Sequence, residues 1–291
     1  MSNNEFPVLQ EQDTQIVQSP NMLNEILKAE IDIQISTAKQ YPRSIAAFKQ
    51  KALSMATLDI ETATACFYAL PRAGKVVEGP SIRLAEIVIS AWGNLRAAAN
   101  VINNDRKTIT ARAYCHDLES NTAIAIEVKR KITDKNGKTY TEDMQVVTGN
   151  AACKIALRNA VFSVIPMAYT KEIYDNVRKV AAGDQATLTE RREKALKHFK
   201  DMGIGYDRIY SVLDVTSDED INQEKFLTLL GIANAIKDGD TTLEEAFPKL
   251  TLVTETQLKS NDALKNTVEE IAKAKQGGSV TSGKAYRYNR G

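Results

Sequence analysis

The sequence predicts an α+β fold: a three-stranded antiparallel β-β-β-α core domain with N-terminal helices before it and a C-terminal helical domain after it. Three observations predict it. Residues 95–132 alternate apolar and polar side chains with period two, in three segments parted by turn residues. After Thr141 the period becomes helical and holds until Pro166, which ends or bends the helix. From Leu188 to Phe247 three further helical patterns follow.

Residues 1–12 are polar and acidic, unlike a signal peptide, and residues 1–20 are expected to be flexible. Met22, Leu23, Ile26, Leu27, Ile31 and Ile35 make a helical stripe over 21–39. The Tyr41-Pro42 step interrupts it, and a second helix over 44–58 turns Ile45, Phe48, Ala52 and Met55 inward. A third helix starts at Ile60, before Pro71 and Gly74 break the pattern. Phe67-Tyr68-Ala69-Leu70-Pro71 reads as a short strand, residues 76–80 as a loop, and Ser81 as the cap of a helix to Ser90.

Strands are expected at 95–102, 108–115 and 122–132. Ile109, Ala111, Ala113, Cys115, Ile124, Ile126 and Val128 face the core, while Arg112, Tyr114, Glu127, Lys129 and Lys131 face away. On the long helix, Val147, Ala151, Ile155 and Phe162 share one side, and Lys154 and Arg158 share another. Helices at 169–180, 189–202, 205–213 and 220–237 come next, then an amphipathic segment at 258–272. The expected organisation is a flexible N-terminus (1–20), a core domain (21–182), a C-terminal helical partner-binding domain (188–250), and an amphipathic segment with a disordered basic tail (251–291).

Composition describes a soluble globular protein, 43% hydrophobic and 26% charged, with no apolar run near the roughly 20 residues that span a bilayer. No membrane contact is expected. Cys66, Cys115 and Cys153 are odd in number and lack CxxC spacing, as in a reduced cytosolic protein with core cysteines. The net charge of +1 hides segregation. Residues 72–179 hold 17 Lys+Arg against 11 Asp+Glu, net +6; residues 184–272 hold 11 against 18, net −7. A basic middle beside an acidic flank points to a polyanion on one surface and proteins on another.

The basic side chains are the main constellation. Lys129 and Lys131 share a strand face with Arg112 on the neighbouring strand, and Lys154 and Arg158 lie one helical turn apart. Cations repeated along a groove neutralise successive phosphates and release counterions. Tyr68, Trp92 and Tyr114 offer stacking surfaces, although the apolar setting of Trp92 places it in the core. The small residues Gly149-Asn150-Ala151-Ala152 permit either a phosphate or a packed sheet to approach the helix closely.

No GxxxxGK[ST] loop is present, and His116 and His198 lack neighbouring ligands, so no cofactor, metal or catalytic residue is expected. Two alternatives remain. Asp117 with Glu127-Val128-Lys129 echoes the D…ExK pattern of Mg²⁺-dependent nucleases, but the basic company of Glu127 favours an ordinary surface. A sequence-specific nucleic-acid-binding regulator is the other.

Several segments occur in a familiar order: Phe67-Tyr68-Ala69-Leu70-Pro71, Gly79-Pro80-Ser81-Ile82-Arg83, Gly93-Asn94-Leu95 before the strands, Ala156-Leu157-Arg158-Asn159-Ala160-Val161-Phe162, and Ile173-Tyr174-Asp175. In that order the chain resembles the phage RecT/Redβ-type single-strand annealing proteins, a superfamily that includes the eukaryotic Rad-type annealing mediators. The resemblance runs from about Ile45 to Lys179, with a weaker echo to Ala246. It implies a β-β-β-α annealing core, a homo-oligomeric ring or filament, and single-stranded DNA in a groove floored by the sheet and the long helix. It also implies annealing without ATP in phage recombination, in the bacterial host cytosol. The C-terminal helices would contact a phage exonuclease or a host single-stranded-DNA-binding protein. Arg158, Lys154 and Arg83 are the DNA-binding positions carried over; Arg112, Lys129 and Lys131 come from the strand reading. The chain departs from the family at Gly149-Asn150-Ala151-Ala152, where relatives are more basic.

Overall fold

A computed structural model describes residues 20–72 and 75–249. The expected amphipathic segment at 258–272, the basic tail and the first 19 residues lie outside the described residues. Helix α1 (Pro20–Gln40) leads to α2 (Ile45–Ala56), whose cap Ser44 accepts from the Ala47 N–H. Asp59 caps α3 (Ile60–Ala65) through the Thr62 N–H at 2.7 Å. These polar caps satisfy amides that the first helical turn leaves without partners.

The next segments form a hairpin: β1 (Phe67–Arg72) pairs antiparallel with β2 (Lys75–Pro80). Residues 76–80, expected to be a loop, are therefore a strand. The β-branched Val76 and Val77 pair with Pro71 and Leu70, and the ladder outweighs the turn signal of Gly79-Pro80. Ser81 then caps α4 (Ile82–Trp92), accepting from Arg83 and Leu84 N–H while donating to the Ala65 carbonyl at 2.6 Å.

Strands β3 (Leu95–Asn104), β4 (Thr108–Asp117) and β5 (Thr122–Lys131) form an antiparallel sheet with β4 central. Helix α5 (Glu142–Val164), capped by Thr141, crosses one face of it. Ile109, Ala111, Ala113 and Cys115 are buried there as expected. The buried side of α5 differs from the expectation: Val147 is 56% exposed, and the contact is made by Thr148, Gly149, Ala152, Ala156 and Ala160.

An alanine-lined sheet holds its helix close, so the helix must be small where they meet. A Cβ added to Gly149 would lie 3.0 Å from Ile109 Cδ1 and 3.2 Å from Val101 Cγ2. Packing thus accounts for the small stretch. It lies two turns inside α5, where amides are already bonded within the helix, so it offers no anion site.

Helix α6 (Met167–Ala182) joins α2, α4, α5 and the sheet around one hydrophobic core. Helices α7 (Leu188–Asp201), α8 (Tyr206–Leu213), α9 (Gln223–Lys237) and α10 (Leu243–Ala246) enclose a second, built on Phe199, Leu213, Phe226, Ile232 and Phe247. The described residues up to Pro248 nevertheless form one compact unit. Helix α9 makes the join by lying on β1. Its Asn234 donates to the Thr64 and Phe67 carbonyls, and Thr228 donates to Glu78 at 2.7 Å. Glu78 also pairs with Arg178 of α6.

The fold is α+β, with two small antiparallel sheets among helices. Among the described residues no helix is long and apolar enough to cross a membrane. The cysteines are unpaired, and burial pushes the thiols of Cys66 and Cys115 up to about 12.

Gly231 is where α9 meets β1. A Cβ there would sit 2.8 Å from both the backbone nitrogen and the Cβ of Ala69. Gly231→Ala is expected to destabilise the protein by about 1–3 kcal/mol. The measurement is a urea transition with a lowered midpoint and an unchanged slope.

Candidate nucleic-acid interface

Because successive strand residues point to opposite faces, the sheet has a second side that α5 does not cover. Arg96, Ala98 and Asn100 of β3 fall on it, with Arg112 and Tyr114 of β4 and Glu127, Lys129 and Lys131 of β5. The register sets Asn100, Arg112 and Glu127 in one row across the sheet, and Ala98, Tyr114 and Ala125 in another. Lys129 stands opposite Thr110, and Lys131 opposite Thr108.

Arg112, Lys129 and Lys131 are exposed. None of their side chains makes a hydrogen bond or ion pair among the described residues, although Glu127 stands opposite Arg112 and Asp105 feels the charge of Lys129. Arg96, which was not among the expected positions, donates to Gln34 of α1 at 2.9 Å. Its even position in an odd-inward strand already marked it as outward. Between α1 and the sheet lies a cleft of about 540 Å³, lined by Gln34, Thr37, Arg96, Ala98 and Tyr114 among others. The Tyr114 hydroxyl is held neutral, its pKa raised by burial, with Arg96 opposing. A half-buried aromatic among small neighbours and unpaired cations has the make-up of a platform for unpaired bases and their phosphates.

The other three candidates are elsewhere. Lys154 pairs with Asp238 at 3.2 Å, and Arg158 pairs with Asp240 at 2.7 Å, both members of the second pair being buried. Arg83 binds Glu86 at 2.9 Å and lies 3.6 Å from Asp238. The Arg158 guanidinium also stacks over the Tyr68 ring at 4.2 Å, which takes Tyr68 out of service as an open platform. The single groove expected from sheet and helix is therefore not formed. Helix α5 packs on the face that Arg112, Lys129 and Lys131 point away from, so the six cations divide into an open group and one already paired with carboxylates.

Trp92 lies in the core as expected, against Phe48 and Tyr169, and its indole N–H donates to Asp117 at 3.0 Å. Asp117 is buried and doubly bonded by the Arg43 guanidinium, and it accepts the N–H of Glu119 at 3.0 Å and of Ser120 at 3.3 Å. Arg43 reaches Glu119 as well, at 2.9 Å. The D…ExK constellation does not assemble. Glu127 stands opposite Arg112, five residues or roughly 16 Å along the strand from Asp117 and on the other face.

No protein-family model, no curated protein and no solved structure matches this chain. Function is therefore read from the side chains themselves.

Burial alone would raise the Asp117 carboxyl, but the donors from Arg43, Trp92 and the two backbone amides outweigh it and hold the group at about 2. A carboxylate depressed below its usual 3.8 stabilises the fold above pH 4, and that contribution is lost as pH falls through about 2. It amounts to about 2 kcal/mol. Asp117→Asn is expected to be less stable than wild type at pH 7, with a flatter decline between pH 4 and 2. Urea midpoints across that range give the comparison.

Proposed function

We propose that this chain binds single-stranded nucleic acid across the open face of its sheet and anneals it to a complementary strand without ATP. The observation that carries the proposal is the line of Arg96, Arg112, Lys129 and Lys131 along the face of the sheet opposite α5, with Tyr114 between the rows of Arg96 and Arg112. Lys129 and Lys131 recur about 6.6 Å apart along β5, a repeat that follows a backbone rather than a point charge. The order of β1, α4, the three strands and α5 agrees with what resemblance to the RecT/Redβ-type annealing proteins implies, and supports the same reading.

On this proposal the cations hold one strand by its phosphates and leave its base edges free. A second strand tests complementarity, and pairing supplies about 1.4 kcal/mol per base step. The protein lowers the flexibility and mutual repulsion of the strands, so the reaction requires neither cofactor nor catalytic residue. Copies of the chain side by side, in a ring or filament, extend the platform to the length of a polynucleotide. The C-terminal helices α7–α10, joined by loops that carry the acidic Asp214, Asp218, Glu219 and Asp220, serve protein partners, a phage exonuclease or a host single-stranded-DNA-binding protein, in the host cytosol.

The test is a triple substitution, Arg112→Ala, Lys129→Ala and Lys131→Ala. It is expected to weaken binding of oligothymidylate and to flatten the salt dependence by about 0.7 in log–log slope for each phosphate no longer neutralised. Annealing of two labelled complementary oligonucleotides, mixed without ATP, slows in parallel. A wild-type isotherm and slope in the triple variant would remove the proposal. Strong preference for one base sequence would favour a regulator instead.

A further inference from the structure

Four cations from three elements converge on one loop. Arg83 comes from α4, Arg130 from β5, and Lys154 and Arg158 from α5; all reach residues 238–240, just past α9. The loop answers each of them with oxygen. Asp238 Oδ1 takes Lys154 and Arg83, and Asp240 Oδ2 takes Arg158. The carbonyls of Gly239 and Asp240 accept from Arg130, both at 2.9 Å. With Glu86 on Arg83, three carboxylates face four cations.

Two negative groups and two neutral acceptors, strung on a short piece of backbone, are also what a short run of phosphodiester presents. Gly239 makes the resemblance possible. Its φ of +80° turns the loop, and a Cβ there would lie 2.9 Å from the Cβ of Ala151, so only glycine lets the loop settle onto α5. The loop and its cations have an exposed rim and a closed floor. The side chains of Arg83 and Lys154 are 46% and 36% exposed, whereas those of Arg158 and Asp240 are 9% and 4% exposed. An incoming polyanion can therefore engage the rim before the floor pair separates.

We propose that residues 238–240 are a built-in phosphate mimic, closing a second nucleic-acid site formed by Arg83, Arg130, Lys154 and Arg158. A single strand competes with the loop for the same cations. The inference rests on the reading that this chain binds single strands. It adds that the binding surface is larger in the open state than in the closed one.

Two variants open the site by different means. Asp238→Asn with Asp240→Asn removes the competing charge. Gly239→Ala evicts the loop sterically and leaves every charge in place, so its effect is not general attraction. Both are expected to bind oligothymidylate about tenfold more tightly at low salt, with a slope steeper by about 1.4 as two further phosphates are neutralised. In wild type, oligothymidylate is expected to speed amide hydrogen exchange across 238–242. The proposal is overturned if a folded Gly239→Ala variant keeps wild-type affinity and slope. Unchanged or slowed exchange in the loop overturns it too, and that measurement decides the matter if neither variant folds. The open-face substitutions keep the two readings apart. Their failure to weaken binding sinks the sheet platform alone, whereas loop variants that change nothing while the sheet variant loses binding sink this inference alone.

Discussion

The close approach of α5 to the three-stranded sheet is the constraint from which the remaining geometry follows. The strands present alanine, cysteine and isoleucine inward, so the helix lies near the backbone only if it is equally small, and Gly149, Ala152, Ala156 and Ala160 meet that condition. Once one face is sealed in this way, the pleat leaves no choice about the other. A one-residue slip of β5 would bury Lys129 and Lys131 and expose Ile126 and Val128, so the hydrophobic pattern that fixes the core also fixes where the cations stand.

Buried charge does the joining. Asp117 ties the end of β4 to the start of α2 through Arg43 and to the end of α4 through Trp92, while the Arg43 guanidinium stacks on the indole at 4.4 Å. Glu78 ties β2 to α6 and α9, and Asp240 ties the end of α9 to α5. Removing one partner of such a pair strands the other charge out of water, at about 3–5 kcal/mol. These pairs therefore set which arrangement of the helices is tolerated, and they link the C-terminal helices to the sheet domain.

Much of this was legible in the sequence, for definite reasons. The period-two runs and the long helical run located β3, β4, β5 and α5 within a few residues, and Ser81 marked a helix start because a cap is a local interaction. Strand β2 was not legible, since Val76-Val77 is too short to show a period and Gly79-Pro80 imitates a turn. The outward positions of Arg112, Lys129 and Lys131 could be read; the burial of Arg158 could not. Its partner Asp240 is 82 residues away, and the spacing of Lys154 and Arg158 says only that they share a helix side. The charge segregation carried the hint, because a segment of net −7 following one of net +6 has an obvious place to go.

That place matters for any polyanion that meets the chain. The basic middle spends part of its charge internally, at the 238–240 loop and in the Lys135–Glu244 pair, and keeps part of the rest on the sheet. Surface attraction fades over roughly 8–10 Å at ordinary salt. A strand approaching the open face is thus drawn by Arg112, Lys129 and Lys131 and little affected by acidic side chains beyond that range. Near α5 the same strand meets cations already answered by carboxylates. Segregation of charge along the sequence becomes a ranking of surfaces in space: one available at once, the other only by exchange of one set of oxygens for another.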